Sequence, residues 1–171
     1  MNKITDKVYL GGCAGAENED LLKQNNIKRV LSCMGSLSPN YKDKTIVQKI
    51  IELNDFPNQN ILQYFKDSIK FIEDSDKVFV HCFAGVSRSA TLVIAYFMWK
   101  DKLPYKKSYE FVNAHRSIGP NFGFRKQLLI LEKKLKEVDY DLEKLDFKDV
   151  NGLLKKELLM ILVICKILFI K

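Results

Sequence analysis

In the first half of the chain, apolar residues come in short clusters broken by polar stretches. Val8-Tyr9-Leu10 runs into Gly11-Gly12 and predicts a strand followed by a turn. Residues 27–33 (IKRVLSC) and 47–53 (VQKIIEL) predict two more strands, separated by a Ser-, Pro- and Asn-rich loop around Pro39. Between the first two strands, residues 17–25 place acids first and a leucine pair inside, as a short helix does. Ile61, Leu62, Phe65, Ile69 and Ile72 then recur at helical spacing. Val78-Phe79-Val80 predicts a further strand, and residues 89–99 a long apolar helix. Pro104 starts another helix that runs through His115. Asn121 opens a last one, with Leu128, Leu129, Leu131 and Leu135 marking its buried side. Strands alternating with helices predict an α/β sandwich with a central sheet and helices on its faces.

The pattern changes after Asp139. DYDLEKLDFKD predicts a polar hinge, and residues 158–170 are apolar except for Lys166. That run is shorter than the roughly 20 residues that span a bilayer as a helix. The expected organisation is therefore a domain over residues 1–138 and an appendage over 139–171. The apolar helix of the appendage is expected to pack on the domain or on a second copy. Contact with a membrane surface through residues 153–170 is the alternative.

Charge narrows the partners. The chain carries 28 Lys+Arg against 21 Asp+Glu, a net +7, which favours anionic partners. Residues 132–171 hold nine basic against eight acidic residues, so the excess sits in the main body. No basic tail of the nucleic-acid-gripping kind exists, and no nucleic-acid partner is expected. Four cysteines sit at no metal-ligand spacing and only two histidines accompany them, so no metal site is expected. The first residues, MNKITDKVYL, contain no secretory apolar core. A reducing compartment is expected, cytoplasmic and with nuclear or membrane-associated variants of that location open.

The candidate chemistry lies in KVFVHCFAGVSRSA, residues 77–90. A loop leaving a strand and entering a helix aims successive N–H groups into one concavity, backed by the helix's positive end. Ala84 and Gly85 are small enough to let backbone approach a phosphate closely. Phe83, Ala84, Gly85, Val86 and Ser87 would then supply the cradle, and Arg88 a two-pronged grip on phosphate oxygens. The same field favours the ionised form of Cys82 at the loop's start and makes it the candidate nucleophile. A thiolate attacking a phosphate ester needs a proton donor for the departing oxygen. Asp55, in the loop NDFPNQN between a strand and a helix, is the best-placed carboxylic acid. Ser89 can hydrogen-bond the cysteine sulfur and help it leave. His81 is expected to brace the loop rather than act as a base. Cys33 could protect Cys82 by a reversible disulfide.

HCFAGVSRSATLVIAYFM resembles the signature of the dual-specificity branch of the cysteine-based protein tyrosine phosphatases. The resemblance covers about residues 3–138 and extends to VYLGG, to NDFPNQN as the general-acid loop and to RSIGPNFGF as a late buttressing motif. It implies an α/β fold with a central twisted, mostly parallel sheet flanked by helices on both faces. It also implies phosphomonoester hydrolysis without a metal or other cofactor, and phosphotyrosine and phosphoserine/threonine proteins as substrates. Asn121 would tie the surrounding loops to the phosphate loop. A phosphatase of phosphoinositides or other non-protein monoesters is the rival within enzymes. The absence of Lys or Arg between Cys82 and Arg88 argues against it. A catalytically weak phospho-binding module is a second rival, against which stands the presence of Cys82, Arg88 and Asp55 together.

Overall fold

Three strands with almost every residue buried make the middle of the molecule: β2 (Val8–Gly11), β3 (Arg29–Ser32) and β5 (Val78–His81). With the edge strands β1 (Asn2–Lys3) and β4 (Val47–Ile50) they form one sheet in the order β1-β2-β5-β3-β4. The β1–β2 pair is antiparallel and the other three pairs are parallel. This architecture comes from a computed structural model that describes residues 1–148. The apolar run at 158–170, the expected contact through 153–170 and Cys165 lie outside the described residues.

Side chains alternate across the sheet, as strand geometry requires. Val8, Leu10, Leu31, Val78 and Val80 enter a large core, while Tyr9, Val30 and Phe79 enter a smaller one on the opposite face. A mostly parallel sheet covered on both faces buries both sides of its central strands, which explains the apolar runs at 8–10, 30–31 and 78–80. The smaller core is closed by α1 (Cys13–Ala16) and α2 (Glu19–Gln24) through Ala16 and Leu22. The larger is closed by α3 (Leu62–Glu73), α4 (Arg88–Lys100), α5 (Tyr105–His115) and α6 (Phe122–Glu137). Helices therefore cover both faces of a mostly parallel sheet. Every residue of α4 from Ser89 to Met98 is buried. A helix apolar on all sides belongs at a centre, and α4 lies between the sheet and the other three helices.

Several elements depart from the sequence expectation. The short helix starts at Glu19 because Asn18 caps it, accepting the Leu21 N–H at 2.9 Å. Leu129, expected on the buried side of α6, is 53% exposed. Phe124, Leu128, Leu131 and Leu135 already fill the inward stripe, and Leu129 lies about 100° around the helix from Leu128. The first part of the expected polar hinge rests on the domain. Leu142 and Leu145 join the large core, and Phe147 meets Phe65 edge-on at 6.2 Å between ring centres. The Trp99 indole donates to the Tyr140 carbonyl at 2.9 Å. In a segment so rich in Asp, Glu and Lys, these spaced apolar residues read as solvated.

The carboxyl ends of β2, β3, β4 and β5 all open onto one edge of the sheet. In open α/β sheets that edge is where ligands bind.

Candidate active site

Cys82 directly follows β5, and residues 83–87 turn the chain into α4. The carbonyls of this loop are held from outside. Phe83 O accepts from the Cys13 N–H at 2.9 Å, and Val86 O from the Gly119 N–H at 2.9 Å. Between them, Arg116 donates to Ala84 O at 2.7 Å and to Gly85 O at 2.8 Å. Trans peptides place each N–H opposite the preceding carbonyl. With four consecutive carbonyls turned outward, the N–H groups of Ala84, Gly85, Val86 and Ser87 point into the loop. The Gly85 N–H reaches the Cys82 sulfur at 3.3 Å, and the Ser89 hydroxyl reaches the same sulfur at 3.2 Å. Gly85 has φ +70°, and a Cβ there would lie 2.2 Å from the Gly11 carbonyl carbon, so only glycine closes this turn.

A concavity of about 410 Å³ opens over the loop, lined by Asp55, Cys82, Phe83, Ala84, Val86, Ser87, Arg88, Gly119 and Asn121. Cys82 is 2% exposed and forms its floor. Arg88 donates from Nη1 to the Cys33 carbonyl at 3.3 Å and the Leu53 carbonyl at 3.1 Å. Its Nε is buried without a hydrogen-bond partner, with Asp55 Oδ2 4.0 Å away. One edge of the guanidinium is thus anchored on the ends of the sheet, and a buried donor is left over for an anion in the loop.

Asp55 is joined to the loop by hydrogen bonds. Its Oδ1 accepts from the Ser87 hydroxyl at 2.6 Å and from Asn121 Nδ2 at 2.8 Å. Asn121 also caps α6, its Oδ1 accepting the Phe124 N–H at 3.0 Å, and its own N–H donates to the Ser87 hydroxyl at 3.2 Å. The loop carrying Asp55 is seated on α6. A Cβ at Gly123 would fall 1.8 Å from the Pro57 carbonyl oxygen. The buried Gln127 accepts the N–H groups of Ile61 and Leu62 at 2.8 and 3.2 Å and donates to the Gln59 carbonyl at 2.9 Å. One side chain thereby caps α3 and tethers the loop before it.

His81 stands behind the loop, fully buried and stacked on Phe79 at 5.6 Å. The Ser32 hydroxyl lies 2.6 Å from His81 Nε2 and accepts from Gln48 Nε2 at 2.8 Å. His81 Nδ1 faces the Cys82 carbonyl at 3.4 Å, and since a carbonyl only accepts, the neutral ring carries its proton on Nδ1 and accepts from the Ser32 hydroxyl at Nε2. Burial pushes the imidazole down to about 4, against the opposing effect of the Cys82 carbonyl. A neutral ring wedged between β3 and the loop is a brace. Cys33 is fully buried, and burial together with the nearby Cys82 pushes its thiol well up. Cys13, Cys33 and Cys82 are all free thiols.

The structure therefore gathers every residue singled out from the sequence. Cys82, Arg88, Asp55, Ser87 and Asn121 line one pocket, Ser89 is buried against the Cys82 sulfur, and His81 lies behind the loop. Sequence reasoning missed Arg116, Gln127 and the Cys13 and Gly119 amides. Arg116 stands in the RSIGPNFGF stretch, yet its partners lie 31 and 32 residues away. Periodicity carries no signal over such separations.

The family described as "Dual specificity phosphatase, catalytic domain" matches residues 8–134. Dual specificity protein phosphatase 22-A of Danio rerio is 40% identical over 139 residues, covering 78% of this chain and 66% of that protein. Protein-tyrosine-phosphatase MKP1 of Arabidopsis thaliana is 37% identical over 139 residues, covering 78% of this chain but 18% of that protein. The crystal structure of DUSP15 superposes with a TM-score of 0.69 at 34% identity, covering 79% of this chain and 94% of that one.

Proposed function

The chain belongs to the dual specificity phosphatase family, and from that premise we propose that it hydrolyses phosphotyrosine and phosphoserine/threonine in proteins through a cysteinyl-phosphate intermediate. The loop N–H groups and Arg88 hold three phosphate oxygens and set the phosphorus above the Cys82 sulfur. The sulfur lone pair forms the S–P bond while the bond to the ester oxygen breaks, and Asp55 in its acid form gives that oxygen a proton. Water then attacks phosphorus. It loses a proton to the Asp55 carboxylate, and the S–P electron pair returns to sulfur. The Ser89 hydroxyl, 3.2 Å from that sulfur, stabilises the departing thiolate.

One observation carries this reading. The Cys82 sulfur receives two hydrogen bonds at the floor of a pocket whose backbone N–H groups and spare Arg88 donor all serve an anion. Arg88 is the sole cation lining that pocket among the described residues. This suits a monophosphate and argues against a phosphoinositide, whose further phosphates need further cations. A nucleophile that works as a free thiol also fits a reducing compartment. The test is Cys82→Ser. It should abolish hydrolysis of an aryl phosphate while the protein still binds vanadate, and retained turnover would refute the nucleophile.

A further inference from the structure

Of the ten phenylalanines among the described residues, only Phe56, Phe83 and Phe122 are exposed, at 62%, 64% and 65%. All three stand on segments that contribute to the lining of the pocket. Phe83 lines it, Phe56 follows the lining residue Asp55, and Phe122 follows the lining residue Asn121. The segments bearing Phe56 and Phe122 touch, since Gly123 abuts the Pro57 carbonyl. Val86, 38% exposed, adds a fourth apolar side chain on the lining itself. Aromatic side chains bury large areas when they can. That the exposed phenylalanines among the described residues all stand on the segments lining one opening points to a contact surface there.

Polar recognition has little left to work with there. The loop carbonyls are all occupied from outside. Asp55 Oδ1 is taken by Ser87 and Asn121. Arg116 is spent on Ala84, Gly85 and Asn2. Arg88, anchored on the sheet, has its spare donor at the phosphate position. A phosphorylated residue that reaches Cys82 must carry its chain neighbours over this rim.

We propose that the pocket mouth selects monophosphorylated protein segments with Leu, Ile, Met or Phe beside the phospho-residue, through contacts with Phe56, Phe83, Val86 and Phe122. The proposal rests on the protein-phosphatase reading and deepens it. It runs against the preference for acidic partners that the net charge of +7 suggests, because the charges that would serve acidic flanks do not line the site. A flank carboxylate would instead be desolvated against phenyl rings beside Asp55.

The experiment uses the full chain and three phosphotyrosine peptides of equal length, flanked by Leu/Phe, by Ser/Gln or by Asp/Glu. The apolar flanks should raise kcat/KM over Ser/Gln by about 10-fold, roughly 1.4 kcal/mol. Asp/Glu flanks should give no gain. In Phe56→Ser/Phe122→Ser the apolar advantage should shrink to within about two-fold. The readout is a ratio within each protein, so any loss common to the three peptides cancels. Equal rates on all three, a preference for Asp/Glu, or an advantage undiminished in the double variant overturns the proposal. So does a double variant that loses sedimentation with phosphatidylcholine/phosphatidylserine vesicles while keeping its peptide ratio, which would make the rim a membrane surface. Failure to hydrolyse any phosphopeptide while an aryl phosphate is turned over removes the protein-phosphatase reading itself.

Discussion

At Asp55 a single carboxylate oxygen accepts two hydrogen bonds, from Ser87 and Asn121, while the other oxygen stays on the Arg88 side of the pocket. In the proposed mechanism this fixed group serves the leaving oxygen. Asp55→Ala should therefore slow phenyl phosphate, a poor leaving group, by about 10²- to 10³-fold and a far better leaving group such as a nitrophenolate much less. Equal slowing of both, measured as kcat across a series of aryl phosphates, would assign the proton to another residue. His81 offers a second test, on stability. Its folded value of about 4 lies below the ordinary 6.5, so the unfolded chain binds the extra proton between those limits. The contribution is complete above pH 6.5 and is lost as pH falls toward 4, by about 3 kcal/mol in total. Urea unfolding of the native protein should show that fall between pH 6.5 and 4.5. His81→Asn, which cannot titrate, should flatten it. An unchanged slope in the variant would place the imidazole in a different protonation state.

At the scale of elements, the strand β5, its following loop and α4 were legible because they are contiguous in sequence. Residues 77–90 show the apolar strand, the small-residue turn and the helix start in one reading frame. The Asn121 cap was also visible, since capping is local. Contacts between distant elements were not. Gln127 reads as one polar position on an amphipathic helix, yet it holds α3 and the acid loop, 65 to 68 residues away. Gln127→Leu should leave two buried N–H groups without a partner, destabilising the protein by about 2–6 kcal/mol at roughly 1–3 kcal/mol per group. It should also slow poor leaving groups more than good ones, because Asp55 loses its seat. Gln127→Glu keeps the acceptor and loses the donor, and should fall between the two. Identical losses across leaving groups would make Gln127 structural only.

Across the whole molecule, the sheet puts the carboxyl ends of its parallel strands on one edge, and α4 and α6 start there with their positive ends. The alternation of strands and helices predicts this α/β layering. The exposure of Leu129 and the docking of Leu142 and Leu145 depend on which stripe of each helix was already filled, which no local pattern states. The central claim is that Cys82 itself carries the phosphoryl group. Its most direct test is rapid-quench mass spectrometry of the Asp55→Ala variant with a good leaving group, where loss of the base should let the intermediate accumulate. One phosphoryl group should appear on the peptide containing Cys82, approaching one per active site and absent from Cys82→Ser. A phosphoryl group on any other residue, or turnover with none trapped, would contradict the central claim.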